Sequence, residues 1–87
     1  MNKRDTGHKD KNGIKEHEGD IVKFKWETPE QDFQSTSVIE WDADGAYYRF
    51  RDLNTGIIRC LDCVEQSARE IIGSIWETPE LMKEKLQ

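Results

Sequence analysis

Glu18-Gly19-Asp20-Ile21-Val22-Lys23-Phe24-Lys25-Trp26 is the stretch whose reading decides the fold. From Ile21 onward apolar and basic side chains alternate. In an extended chain Val22, Phe24 and Trp26 therefore share one face and the two lysines the other. This period of two predicts a half-buried strand, and Gly19 allows a sharp bend before Asp20.

Working outward, Ser37-Val38-Ile39-Glu40-Trp41 reads as a second strand. Asp42-Ala43-Asp44-Gly45 reads as a turn, with the carboxylates bonding nearby amides and Gly45 in the left-handed position. Residues 46–51 read as a third strand, with Ala46, Tyr48 and Phe50 on one face and Tyr47, Arg49 and Arg51 on the other. Asn54-Thr55-Gly56 then turns the chain into Ile57-Ile58-Arg59-Cys60-Leu61. Leu61, Val64, Ala68, Ile71, Ile72 and Ile75 fit a helical stripe, but Gly73 and the clustered isoleucines favour extended chain. The expectation is a short helix or turn over 62–68 and a final strand over 69–76. Thr78-Pro79-Glu80 predicts the start of a short C-terminal helix, with Thr as cap and Pro preset for the first turn.

On the other side of the opening stretch, residues 1–8 read as a flexible arm and residues 9–87 as a single domain. Asn12-Gly13 is the strongest turn signal in the chain and predicts a short polar hairpin between 8–11 and 14–17. Residues 27–36 read as a polar loop holding one isolated aromatic, Phe33. Phe24, Trp26, Trp41, Phe50 and Trp76 are the expected core. The pentapeptide Trp-Glu-Thr-Pro-Glu occurs at 26–30 and again at 76–80, but the flanks differ, so each copy reads as a strand end running into a Pro-started turn. The fold class is mainly β: a small bent antiparallel β-barrel of about five strands, similar to Src-homology-3-like barrels, with the C-terminal helix laid on it.

Composition bounds the function. With 87 residues the chain makes one domain with a modest core, built on three Trp, two Tyr and three Phe. A net charge of −5 argues against broad contact with a nucleic-acid backbone, which requires Lys and Arg gathered on one face. No apolar run reaches membrane-spanning length and none follows the basic start as a signal peptide would, so a soluble cytoplasmic protein is expected.

Cys60-Leu61-Asp62-Cys63 is the one pattern with metal-ligand spacing. It supplies two of the four ligands zinc needs, and His8 and His17 lie far upstream and too widely spaced to complete a site. Two reduced, partly buried cysteines, with no metal and no cofactor, are the expectation. Asp42-x-Asp44-Gly45 lacks the acids of a calcium loop and is explained by a turn. No nucleophile can be matched to a histidine by a local motif, so no enzyme activity is expected.

Tyr47, Arg49 and Arg51 would line one face of a strand, able to stack on and clamp a nucleotide or grip an acidic partner surface. The plainer reading is an outward face neutralised by neighbouring acids such as Glu40 or Asp52. Phe33 either folds back on the core, the favoured reading, or anchors a partner.

Glu70-Ile71-Ile72-Gly73-Ser74-Ile75-Trp76-Glu77-Thr78-Pro79-Glu80-Leu81-Met82 resembles the closing signature of the YopX-like family of phage and prophage proteins. Thr6-Gly7-His8-Lys9-Asp10-Lys11-Asn12-Gly13 and Glu18-Gly19-Asp20-Ile21-Val22-Lys23 resemble its other shared stretches, in the same order. His8 stands where the family more often has an apolar residue. The resemblance implies a small β-rich domain in a bacterial host cell, with no reaction to carry over. It also implies a further N-terminal segment, of which only Met1 to Asp5 would remain here. A sheet edge left uncovered in that way would pair with another chain, so a homodimer is expected. The functional expectation is a non-enzymatic interaction domain that binds and modulates a host or phage protein. The alternative is a nucleotide- or nucleic-acid-binding small barrel.

Overall fold

The computed structural model describes residues 4–77. Seven strands run in chain order: β1 (Asp5–Lys9), β2 (Lys15–His17), β3 (Asp20–Glu27), β4 (Asp32–Asp42), β5 (Tyr47–Asp52), β6 (Ile58–Cys60) and β7 (Arg69–Ser74), with 3₁₀ turns at Leu61–Cys63 and Gln66–Ala68 between the last two. β1 and β2 form a hairpin. The other five make an antiparallel sheet in the order β6-β5-β4-β3-β7.

The alternation of residues 21–26 survives as β3, the strand flanked by β4 and β7. Val22 and Phe24 join Ile39, Phe50 and Leu61 in the main core, with Trp26, Tyr48, Val64 and Ile71 packed against it. Phe24 lies between Phe50, at 4.9 Å, and Trp26, at 5.8 Å between ring centroids. On the opposite face Ile21, Val38 and Leu53 form a smaller cluster under Ile75. Burial on both faces explains why Ile21, on the lysine side of the pattern, is fully enclosed. Of the aromatics expected in the core, Phe24 and Phe50 are buried, whereas Trp26 and Trp41 are half-buried and Trp76 is 40% exposed.

The expected polar loop over 27–36 is shorter than its composition implies. β4 begins at Asp32, and its polar first half pairs with β3 through Glu27↔Asp32, Trp26↔Phe33 and Lys25↔Gln34. Ser35 and Ser37 point into the core because their hydroxyls bond each other at 2.8 Å and Ser35 donates to the buried Asp52. Asp52 in turn accepts the amides of Asn54 and Thr55, closing the turn before β6. Burial raises its pKa, but the Ser35 hydroxyl and those amides outweigh it, so the net shift is downward.

The hairpin turns at Asn12-Gly13 as expected, but β1 begins earlier. Residues 5–8, part of the expected flexible arm, form most of β1. The Thr6 hydroxyl donates to the Glu16 carbonyl at 3.1 Å and Asp5 pairs with His17. The hairpin is docked by two buried carboxylates. Asp10 accepts the amides of Asn12 at 2.9 Å and Ile14 at 3.0 Å through one oxygen, and that of Ile71 in β7 at 3.1 Å through the other. Burial acts to raise its pKa, but the three amides, led by Ile71, hold the carboxyl below its ordinary value. Glu16, 0% exposed, meets the guanidinium of Arg69 at 2.7 Å. Arg69 also donates to the Val64 carbonyl at 3.0 Å and lies over the Phe50 ring. Here burial wins, and it pushes the Glu16 carboxyl up despite Arg69.

The hairpin also explains why the expected barrel does not close among the described residues. The amide of Lys11 donates to the Arg69 carbonyl at 2.8 Å and Asp10 takes the Ile71 amide, so the outer edge of β7 is occupied by the hairpin rather than by β6. β6 pairs with β5 through three residues. The sheet is open. The expected C-terminal helix from Thr78 falls outside the described residues.

Removing one member of a buried ion pair leaves the other uncompensated, at a cost of about 3–5 kcal/mol. Arg69→Ala is therefore expected to lower the urea unfolding midpoint strongly. Glu16→Ala combined with Arg69→Ala is expected to cost less than the two single changes summed. Additive losses in urea unfolding would show that the two side chains do not act as a pair.

Candidate functional site

The strand parity that buries Phe50 turns Arg49 and Arg51 to the opposite face, across from Glu40 and Val38 of β4. The arginines do not stand free. Arg51 Nε donates to Glu40 at 2.7 Å, Arg49 reaches the other Glu40 oxygen at 3.5 Å, and Arg49 Nη1 donates to Asp42 at 3.1 Å. Two guanidiniums and two carboxylates thus alternate along the sheet with no local net charge. Of the acids expected to neutralise the stripe, Glu40 does so, while Asp52 faces the core. Asp42 does so in addition. The amide of Gly45, above all, and also the Asp44 amide, the Tyr47 hydroxyl and Arg49 hold the Asp42 carboxyl below its ordinary value against a smaller opposing effect of burial.

The Asp42–Gly45 turn differs from expectation in one respect. Ala46, not Gly45, takes the left-handed conformation, at φ 55°. Gly45 leaves room for the Tyr47 ring, since a Cβ there would lie 2.3 Å from it and the ring would have to swing aside. That packing holds Tyr47, 42% exposed, beside the turn.

A groove of about 400 Å³ runs past this ladder. Val38, Glu40, Arg49 and Arg51 line it from the sheet, and Glu18, Ile75 and Trp76 from the segments that cross at its end. Gly19 makes that crossing possible. Its amide donates to the Ile39 carbonyl at 2.8 Å and its carbonyl accepts the Ile75 amide at 2.9 Å, at a φ of +90°. The Trp76 indole lies directly on it, and its Nε1 donates to the Glu18 carbonyl at 3.4 Å. Arg49 Nε is buried without an acceptor among the described residues.

Of the four residues singled out from the sequence, Tyr47, Arg49 and Arg51 meet around Asp42 and Glu40, whereas Phe33 lies apart. Arg49 and Arg51 line the groove. Tyr47 lines a second hollow of about 320 Å³ with His8, Trp41, Cys60 and Asp62. Phe33 sits on the core face, 37% exposed, stacked on Trp26 at 5.2 Å and 11°. It has folded back, yet keeps an exposed edge. Arg59 covers the same Trp26 ring at 5.2 Å. Sequence reasoning missed Trp76 and Glu18 as groove residues, since nothing local ties them to residues 40–51. Only the pairing of β3 with both β4 and β7 brings them there.

Cys60 and Cys63 are not reduced and partly buried as expected. They form a disulfide with a Cα–Cα distance of 5.4 Å, and both residues are exposed. The 3₁₀ turn between them brings the two Cα atoms within disulfide range. Among the described residues no group of His, Cys, Asp and Glu could hold a metal ion. No helix there is long and apolar enough to cross a membrane.

A family model described as YopX protein matches residues 3–83. No curated protein and no solved structure matches.

Gly19→Ala is expected to destabilise the domain by about 2 kcal/mol or more, from the left-handed backbone alone, before the contact with Trp76 is counted. A Cβ would sit 2.6 Å from the indole nitrogen, so the Trp76 indole N–H resonance is expected to shift as well. Unchanged urea stability together with an unmoved indole signal would remove Gly19 from its place in shaping the groove.

Proposed function

The chain belongs to the YopX protein family, and from that premise we propose that it is a small non-enzymatic interaction domain, phage- or prophage-encoded, acting in the cytoplasm of a bacterial host. It binds and modulates a host or phage protein through the groove between the Arg49–Arg51 ladder and Trp76. The observation that carries this reading is the neutralised ladder beside an exposed indole. Phosphate ligands need uncommitted cationic groups, whereas these guanidiniums are engaged by Glu40 and Asp42. A protein segment suits the groove better. Arginine and tryptophan are the side chains that most often carry binding energy at protein interfaces.

A nucleotide held by the same arginines is the second reading. It would have to displace Glu40 from Arg51 on a chain of net charge −5. The two readings separate cleanly. With cells of the source bacterium, the wild-type domain is expected to retain one stoichiometric protein that Trp76→Ala and Arg51→Ala each lose, while Lys15→Ala retains it and all variants keep their melting temperature within a few degrees. A panel of nucleotides is expected to leave the melting temperature unchanged. A rise of several degrees that vanishes in Arg49→Ala with Arg51→Ala would favour the nucleotide instead.

The proposed domain self-associates through β6. The edge of β7 is taken up by the hairpin, whereas Ile58 at the start of β6 and Ile57 just before it are 43% and 50% exposed. Ile58 and Cys60 alternate with the residues that bond β5, so their backbone groups face outward. Ile58→Lys is expected to shift a dimer to monomer in sedimentation. A wild-type monomer at high micromolar concentration would refute the association.

A further inference from the structure

We propose that Cys60–Cys63 is a reversible thiol–disulfide exchange site whose co-substrate is a small monothiol of the glutathione class. The bridge is solvent-exposed at both residues, so an attacking thiolate has access to sulfur without unfolding of the domain. It also encloses just Leu61 and Asp62, and the shortest loops gain least from cross-linking.

The surrounding structure holds its place by other means. Leu61, 4% exposed, is anchored in the main core. Arg59 pairs with Phe50 and covers Trp26. The Val64 amide closes the turn on the Leu61 carbonyl at 3.3 Å. Opening the bridge therefore leaves β6 and the turn in position, ready to close it again.

The second hollow supplies the docking space. It opens beside Cys60 and is bordered by His8, Trp41, Tyr47 and Asp62, with the His8 imidazole 3.3 Å from the Asp62 carboxylate. This juxtaposition also couples the site to the hairpin. Asp62, between the two cysteines, is the partner of His8 in β1.

The exchange balances as two thiol displacements. A thiolate attacks one bridge sulfur, the Sγ–Sγ bond breaks, and the other cysteine leaves as a thiolate that takes a proton from water. A second thiolate attacks the mixed disulfide and releases the oxidised dimer of the monothiol and the second cysteine thiolate, which is protonated. The protein gains two electrons and two protons, and two monothiols are oxidised.

The test equilibrates the full chain, without denaturant, in glutathione buffers of graded ratio, then traps free thiols with an alkylating reagent and reads the intact mass. The oxidised fraction is expected to fall from about nine-tenths to about one-tenth over about a hundredfold change in the ratio of squared reduced to oxidised glutathione, and to return on reversal. Circular dichroism is expected to hold constant throughout. Cys60→Ser and Cys63→Ser are each expected to retain one glutathione on the remaining cysteine. A bridge that stays closed at millimolar monothiol would overturn the proposal in favour of a fixed cross-link. Two alkylatable cysteines in every oxidising buffer, or loss of the folded spectrum on reduction, would overturn it equally.

Discussion

Everything in this fold beyond the central sheet depends on the burial of two carboxylates from the hairpin. Asp10 and Glu16 are both fully enclosed, which would cost several kcal/mol each were they not matched. Asp10 is matched by three backbone amides, one of them from β7, and Glu16 by Arg69. These contacts hold a polar three-residue strand, β2, against a sheet to which it contributes almost no apolar surface. They also set the shape of the sheet, since the hairpin occupies the edge that a closing strand would need. Arg69 is drawn over Phe50 by the same pair, so the roof of the main core is partly ionic.

Strand period and turn chemistry were legible in the sequence where one face is apolar. The lysine alternation around Phe24, the Asn12-Gly13 turn and the opposed faces of residues 47–51 translate directly into structure, while Ala46, expected in the strand, belongs to the turn before it. Where strands are polar, the period carries no signal. Gln34 and Thr36 belong to β4 because β3 supplies Lys25 and Lys23 as partners at that register, and Ser35 and Ser37 are buried because Asp52 waits for them. Neither fact is local. Glu16 sits in a run of charged residues and could not be told from a solvated acid without Arg69, far along the chain. The groove was half legible for the same reason. Period placed Arg49 and Arg51 together, but Trp76 reaches them through a backbone crossing at Gly19 that no spacing rule encodes.

The two copies of Trp-Glu-Thr-Pro-Glu show how far context overrides identical chemistry. Trp26 packs inward between Phe24 and Phe33 and is covered by Arg59, and Thr28 closes its loop on the Gln31 carbonyl at 2.9 Å. Trp76 lies flat on a glycine at the margin of the groove. One indole stiffens the core while the other forms a wall that a partner can touch. Pairing charges along the ladder has a comparable effect on the surface. It keeps the arginines ordered and leaves selection among partners to shape and directed donors rather than to long-range attraction.

The crossing at Gly19 also fixes the order in which the molecule can be completed. β3 obtains its first neighbour from β4, soon after it is made, but its second from β7, and the buried carboxylates of the hairpin wait for the same strand. On a ribosome residues 20–52 can form the three-stranded β3-β4-β5 meander while Asp10 and Glu16 remain hydrated, and the hairpin has nothing to dock on until Arg69 and Ile71 emerge. The side of β3 that will receive β7 thus stays open until residues 69–74 have been made.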